Sequence, residues 1–425
     1  MVERGLPSAA VQRGAQSAAA AAGQARHAQA ARPGERARGG DERGVWLLTW
    51  AHFSHDIYPS FLGVFIPAIQ SHLHVSLTLA SLMVPAQQLP SLLQPFIGEL
   101  AERTSRRWFV ILGPTTAAIA LSLIGLAPNI WLALSLLLIS GLASAVFHAP
   151  AISLVGEFGG ERLGRAMAIF MAGGDLARTI GPVVITAVIA LLGFHATPLV
   201  MVLGVLCGVS LWRWLDTRAA DAASRARRGE QQLGTLLRQH WRPIVVLLTY
   251  TGINTAALSP LSYFLDQLLV SRGRSEWYGG IALSVLYASS VAGGLIGGVL
   301  SDRIGRRTAL ALSAGLSTPL ILLYLALENG SWWVLGLVVL IGLTLMAARP
   351  VTLALANDIL PEARGPMSGL VLAINFGGQS LAAIAFGALA GWLGETPAFW
   401  WFAWLGLLGL PLVLLLPRRP RLSSA

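Results

Sequence analysis

Apolar residues run along this chain in long stretches, without the strict alternation of a half-buried strand or the single stripe of a surface helix. A bilayer span needs about 20 such residues. Twelve stretches qualify: 46–70, 78–101, 108–127, 131–156, 165–193, 197–215, 242–268, 277–300, 308–327, 332–357, 366–392 and 398–416. The longest polar interruption, 216–241, falls between the sixth and the seventh. The pattern predicts an all-α membrane protein with 12 transmembrane helices in two six-helix bundles, 45–216 and 242–417. A cytoplasmic linker at 217–241 joins them, and a short cytoplasmic tail follows at 418–425. Residues 1–44 lack the apolar core of a secretory signal and read as a disordered cytoplasmic extension.

Composition narrows the class. Of 425 residues, 55% are hydrophobic and 12% charged, against roughly 25% charged in a soluble domain. A soluble enzyme and a disordered chain are excluded for the body. The net charge of +10 raises the question of a nucleic-acid partner. Every one of the 30 basic residues is Arg, however, and they cluster between the apolar runs. With the N-terminus inside, 26 fall on cytoplasmic segments and two, Arg272 and Arg274, outside; Arg178 and Arg349 lie within spans. That split is a positive-inside signal, which puts both termini in the cytoplasm and leaves no case for nucleic acid. Cys207 stands alone in an apolar stretch, and no His-Glu-x-x-His run or nucleotide-binding loop occurs. The sequence therefore predicts neither an enzyme, a metal site nor a cofactor.

An internal repeat is the sharpest feature. Gly98-ELAERTSRR between spans two and three matches Gly298-VLSDRIGRR between spans eight and nine, at an offset of 200 residues. The same offset relates Pro150 to Pro350. Parallel duplication of a six-helix unit is the pattern of transporters whose halves rock about a midplane site. The loop residues Gly98, Glu102, Arg103 and Arg106, with Gly298, Asp302, Arg303 and Arg306, read as gating elements: a glycine for close helix approach, an acid, and arginines facing the cytoplasm.

On these loops the chain resembles the major facilitator superfamily, with Glu102 and Ser105 standing where that signature usually has Asp and Gly. Three further segments resemble the fosmidomycin-resistance group of efflux carriers: His52-FSHDIYPSFLGVFIPAIQ, Phe147-HAP, and FMAGGDLARTIGP from Phe170 to Pro182. The resemblance implies a multi-pass, monomeric protein of the bacterial inner membrane whose first, fourth, seventh and tenth helices line a central cavity. It also associates the Gly181-Pro182 pattern with exporters. The fourth span carries no Arg at its middle, a device common in proton-coupled drug exporters.

Charges inside spans are functional candidates by default, because each is costly in hydrocarbon. His52, His55 and Asp56 share one face of the first span at spacings of three and four, with Tyr58 a half-turn on. Together they can take up and release a proton near neutral pH. Asp175 and Arg178 sit at i,i+3 in the fifth span, ~15–20 Å from its cytoplasmic end. Arg178 is expected either to pair statically with Asp175 or to switch between Asp175, Asp56 and an anionic substrate. His148 and Arg349 each stand just before a repeated proline. Arg349 has no acid on its own helix until Asp358, which points to a negatively charged substrate. The proton-coupling set is thus Asp56, His52, His55 and Asp175. The substrate-binding set is Arg178, Arg349, His148, Tyr58, Asn254, Asn375 and Gln379. Gln87, Gln88, Gln94 and Tyr287 read as interhelical hydrogen-bonding groups.

The sequence-level expectation is a proton-coupled antiporter, driven by the proton gradient with no bound cofactor, exporting a small anionic or zwitterionic compound. The alternative is a proton symporter importing an organic anion with the same residues. Its partners are a small-molecule substrate, protons and the lipid bilayer.

Overall fold

The structure, a computed structural model, describes residues 41–160, 163–226, 238–328, 331–345, 347–360 and 364–416. The extension over 1–40, the linker core 227–237 and the tail from 417 lie outside the described residues, as does the side chain of Glu102. Every regular element among the described residues is helical. The first half comprises α1 (Glu42–Asp56), α2 (Leu62–Leu73), α3 (Leu77–Ala80), α4 (Met83–Gln88), α5 (Gln94–Arg103), α6 (Arg106–Ser122), α7 (Ile130–Gly159), α8 (Leu163–Leu192) and α9 (Met201–Trp214). A short helix α10 (Arg218–Ala226) begins the connection to the second half. There follow α11 (Trp241–Tyr263), α12 (Leu265–Ser271), α13 (Glu276–Ile304), α14 (Arg306–Leu327), α15 (Leu335–Leu345), α16 (Ala348–Ile359), α17 (Arg364–Leu393), α18 (Glu395–Leu405) and α19 (Gly409–Leu415).

Local chemistry sets the ends of these helices. Asp41, Asn129 and Ser275 cap α1, α7 and α13 by accepting from the backbone N–H three residues on. Gly193, Gly305 and Gly394 turn the chain at φ near +90°, where a side chain would be strained. Among the described residues, ten helical passages are long and apolar enough to cross a membrane, two fewer than the apolar runs suggested. The difference lies in the first two runs, where Pro59 and Pro90 lack the N–H that would continue the helix. Each run is helical on both sides of a 3₁₀ segment, Pro59–Phe61 or Leu89–Leu93.

The outer surface is apolar: Leu295 and Leu381 are 70% and 69% exposed, and Ile139, Leu206 and Val299 also face outward. Such a surface suits lipid rather than water. The cores show how the halves meet. At the end bearing Arg103, Arg106, Arg303 and Arg306, each half has its own apolar cluster, around Leu48, Phe147 and Leu211 in one and Leu247, Leu310 and Leu355 in the other. At the opposite end a single cluster joins Phe61, Phe65 and Ile66 in the first half to Leu265, Leu268 and Phe386 in the second. Close contacts reinforce this end. Gly63 of α2 leaves room for Leu283 of α13, where a Cβ would stand 2.9 Å from Leu283 Cδ1, and Thr78 Oγ1 donates to the Gly387 carbonyl at 2.9 Å. The halves therefore meet at one end and have separate cores at the arginine end.

Candidate functional site

The site begins where α1 breaks. His52, His55 and Asp56 occupy the last turn and a half of α1, just before Pro59, and all three are buried. Four side chains converge on the Asp56 carboxylate. His52 Nε2 lies 3.3 Å from Oδ2, His55 Nδ1 3.0 Å from Oδ1, His148 Nε2 of α7 3.3 Å from Oδ1, and Arg178 of α8 3.6 Å from Oδ2. The same guanidinium nitrogen reaches Asp175 Oδ1 at 3.0 Å. Arg178 thus stands between two carboxylates, one on its own helix and one on α1.

Packing fixes this arrangement. Gly174 lets α8 lie against α1, since a Cβ there would stand 2.5 Å from His52 Cε1 and Nε2 and 3.0 Å from Asp56 Oδ2. The His52 ring stacks on Phe170 with centroids 4.2 Å apart, and its Nδ1 lies 2.8 Å from the Phe170 carbonyl oxygen. His148 Nδ1 lies 3.0 Å from the Ser144 carbonyl oxygen and 3.1 Å from the Ser144 hydroxyl. His55 stacks on Phe147 at 4.9 Å.

The second half faces this cluster with Arg349 of α16, which interacts electrostatically with Arg178, Asp175, Asp56 and Tyr263. Tyr287 of α13 interacts with both arginines and donates to the Ser262 carbonyl at 3.0 Å. A hydrogen-bonded chain crosses between halves, from Gln88 Nε2 to the Tyr263 hydroxyl at 2.8 Å and from that hydroxyl to Gln379 Oε1. No ion pair to Arg349 is formed among the described residues.

The atoms of His52, Asp56 and His148 lie within 4.8 Å of one another, a spacing that a metal ion could also use. Arg178 at 3.6 Å from the same carboxylate and Arg349, which interacts electrostatically with it, place two fixed cations against a dication there.

The Major Facilitator Superfamily profile matches residues 48–276 and 248–425. The chain belongs to the major facilitator superfamily. Among relatives, it is 26% identical over 384 residues to the fosmidomycin resistance protein of Escherichia coli strain K12, covering 87% of this chain and 91% of that one. It is likewise 26% identical over 390 residues to the uncharacterized MFS-type transporter YfnC of Bacillus subtilis strain 168, covering 89% and 93%. Among solved structures, a mutant of the nucleoside transporter NupG superposes with a TM-score of 0.74 at 13% identity, covering 87% of this chain and 99% of that one. That last likeness concerns the fold alone.

The superfamily's loop repeat has a distinct geometry in each half. Arg106 is fully buried and donates through Nε to Asp221 of α10 at 2.7 Å and through NH1 to Ser153 of α7 at 2.8 Å. Its repeat mate Arg306 contacts Asp302 at 2.6 Å and Asp358 of α16 at 3.4 Å. Arg103 makes an exposed pair with Glu99, and Arg303 is exposed. Gly98 approaches α7, with a Cβ there 3.1 Å from Ala149 Cβ, whereas a Cβ on Gly298 meets nothing within 4 Å. The close approach expected at Gly298 falls instead on Gly297 and Gly293, which face Ala347 and Leu343.

Other expectations are redistributed. His148, grouped with the substrate residues on sequence, joins the Asp56 cluster. Tyr58 does not reach the cluster: its buried hydroxyl donates to the Val200 carbonyl at 2.7 Å and accepts from Gly204 N–H at 2.9 Å, bracing the start of α9. Asn375 is a strut within the second half, accepting from Thr255 at 2.6 Å. Asn254 is buried on α11 and makes no hydrogen bond to the cluster among the described residues. Tyr263 was not singled out from sequence; a tyrosine deep in an apolar run is the signal that marks it.

Proposed function

We propose that the protein is a proton-coupled antiporter that exports a small anionic or zwitterionic drug or metabolite across the bacterial plasma membrane by alternating access. In this reading the chain crosses the membrane twelve times with both termini in the cytoplasm. The arginine end then faces the cytoplasm, and the conformation described is the inward-facing one, ready to load an export substrate.

The observation that carries the proposal is the convergence of three imidazoles and Arg178 on Asp56, a carboxylate buried between α1, α7 and α8. A zwitterion fits an exchange mechanism. Its cationic group takes Asp56 in place of the protons, and its anionic group meets Arg349 and Arg178. Protons and substrate then exclude one another, so each return of the carrier needs the other load. The E. coli relative is named for resistance to fosmidomycin, and removal of a drug from the cell is one way to confer resistance.

Arg349, with no ion pair among the described residues, favours a second reading. A purely anionic substrate would bind the arginines while the protons stay on the cluster, and the two would travel together as in symport. The test has two stages. A drug and metabolite panel on an expression strain identifies the solute, and everted vesicles then report proton movement when it is added. Proton release on solute uptake supports antiport; proton uptake supports symport; no proton movement removes proton coupling.

A further inference from the structure

Two of the four groups on Asp56 donate only if their rings carry both hydrogens. A carbonyl oxygen accepts and never donates. His52 Nδ1, 2.8 Å from the Phe170 carbonyl, therefore bears a hydrogen. His148 Nδ1 lies 3.0 Å from the Ser144 carbonyl, which would repel a lone pair there, and 3.1 Å from the Ser144 hydroxyl, which can accept as well as donate, so a hydrogen on Nδ1 satisfies both contacts. Each ring then presents Nε2 to Asp56 at 3.3 Å. In a neutral ring that nitrogen holds only a lone pair, which a carboxylate oxygen repels. The contacts become favourable when each Nε2 takes up a proton.

His55 is set differently. Its Nδ1 faces Asp56 at 3.0 Å, and its buried Nε2 has no hydrogen-bond partner, as suits a neutral ring donating from Nδ1. The other charged groups facing the cluster are Arg178 and Asp175 on α8 and Arg349 on α16, with the tyrosines Tyr263 and Tyr287 beside the two arginines. The arginines oppose added protons and the carboxylates hold them.

We infer that the site loads two protons, one on Nε2 of His52 and one on Nε2 of His148, both held by Asp56 and both directed there by backbone carbonyls on the far side of each ring. This rests on the proton-coupled reading and gives it a stoichiometry. When a substrate cation takes Asp56, both protons lose their acceptor and leave together.

The test is nitrogen-15 NMR of the full chain in lipid nanodiscs, labelled at the histidine rings and titrated between about pH 9 and about pH 5. His52→Gln and His148→Gln assign the two signals by removing one each. The expected result is that the two assigned rings, His52 and His148, both become doubly protonated, with His55 neutral throughout, and that the neutral forms of both assigned rings keep hydrogen on Nδ1. In Asp56→Asn both imidazolium signals move to lower pH by more than one unit or vanish. Double protonation of only one of these two rings overturns the two-proton inference and leaves a proton site in place. Double protonation of neither removes the proton-coupled reading itself. The two assigned signals in the unaltered chain decide even if Asp56→Asn fails to fold.

Discussion

Gly174→Ala tests whether the close approach of α1 and α8 builds the cluster around Asp56. The added Cβ would stand 2.5 Å from Cε1 and Nε2 of His52 and 3.0 Å from Oδ2 of Asp56. Nonbonded carbon contacts settle at about 3.5–4.0 Å, so something must retreat by about 1 Å. His52 is poorly placed to do so, because its ring is stacked on Phe170 and its Nδ1 is held by the Phe170 carbonyl. The helix α8 moves instead and carries Phe170 and Arg178 with it, so that the 2.8 Å contact of His52 Nδ1 with the Phe170 carbonyl opens beyond hydrogen-bonding range and the 3.6 Å contact of Arg178 with Asp56 lengthens. Overpacking of this kind costs about 1–3 kcal/mol. Two measurements read the result: the melting temperature of the purified protein in detergent, and the histidine titration by NMR. The expected outcome is a lower melting temperature and loss of the His52 imidazolium, with that of His148 retained. Gly294→Ala is the control, since a Cβ there meets no atom within 4 Å. If Gly174→Ala matches this control in both measurements, the packing argument is wrong.

Further outcomes follow from the same geometry. Tyr58→Phe removes two hydrogen bonds at the start of α9, and is expected to lower stability by about 1 kcal/mol while leaving proton coupling unchanged; thermal unfolding and vesicle proton flux check the two parts. Arg106→Ala strands Asp221 as a buried, unpaired charge and is expected to cost about 3–5 kcal/mol, against less than about 1 for the exposed Arg103→Ala; melting temperatures of the two variants give the comparison. Arg349→Ala is expected to weaken binding of the transported solute at least tenfold without removing either histidine imidazolium, which solute titration and NMR together would show.

Much of the architecture was legible because hydrocarbon imposes long apolar runs, and the 200-residue repeat exposed the duplicated halves. The breaks at Pro59 and Pro90 were harder to place, since a proline can kink a helix or end it depending on what satisfies the freed carbonyls. Within the site, His52, His55 and Asp56 were readable from helical spacing, as was the pairing of Asp175 with Arg178. The position of His148 was not, because it depends on how α7 packs against α1. The hydrogen bonds of Tyr58 were not legible either: it follows the end of α1, and its hydroxyl meets Val200 and Gly204 at the start of α9, more than 140 positions away in the chain. The burial of Arg106 under Asp221 joins positions far apart in the chain, and local spacing carries no sign of it.

Solute-driven proton flux in proteoliposomes tests the central claim most directly. The purified chain and its Asp56→Asn variant are reconstituted with a trapped pH indicator, and the solute identified by the susceptibility panel is added. The account predicts a pH change with the unaltered chain and none with Asp56→Asn. Equal proton flux from the two proteins would contradict it.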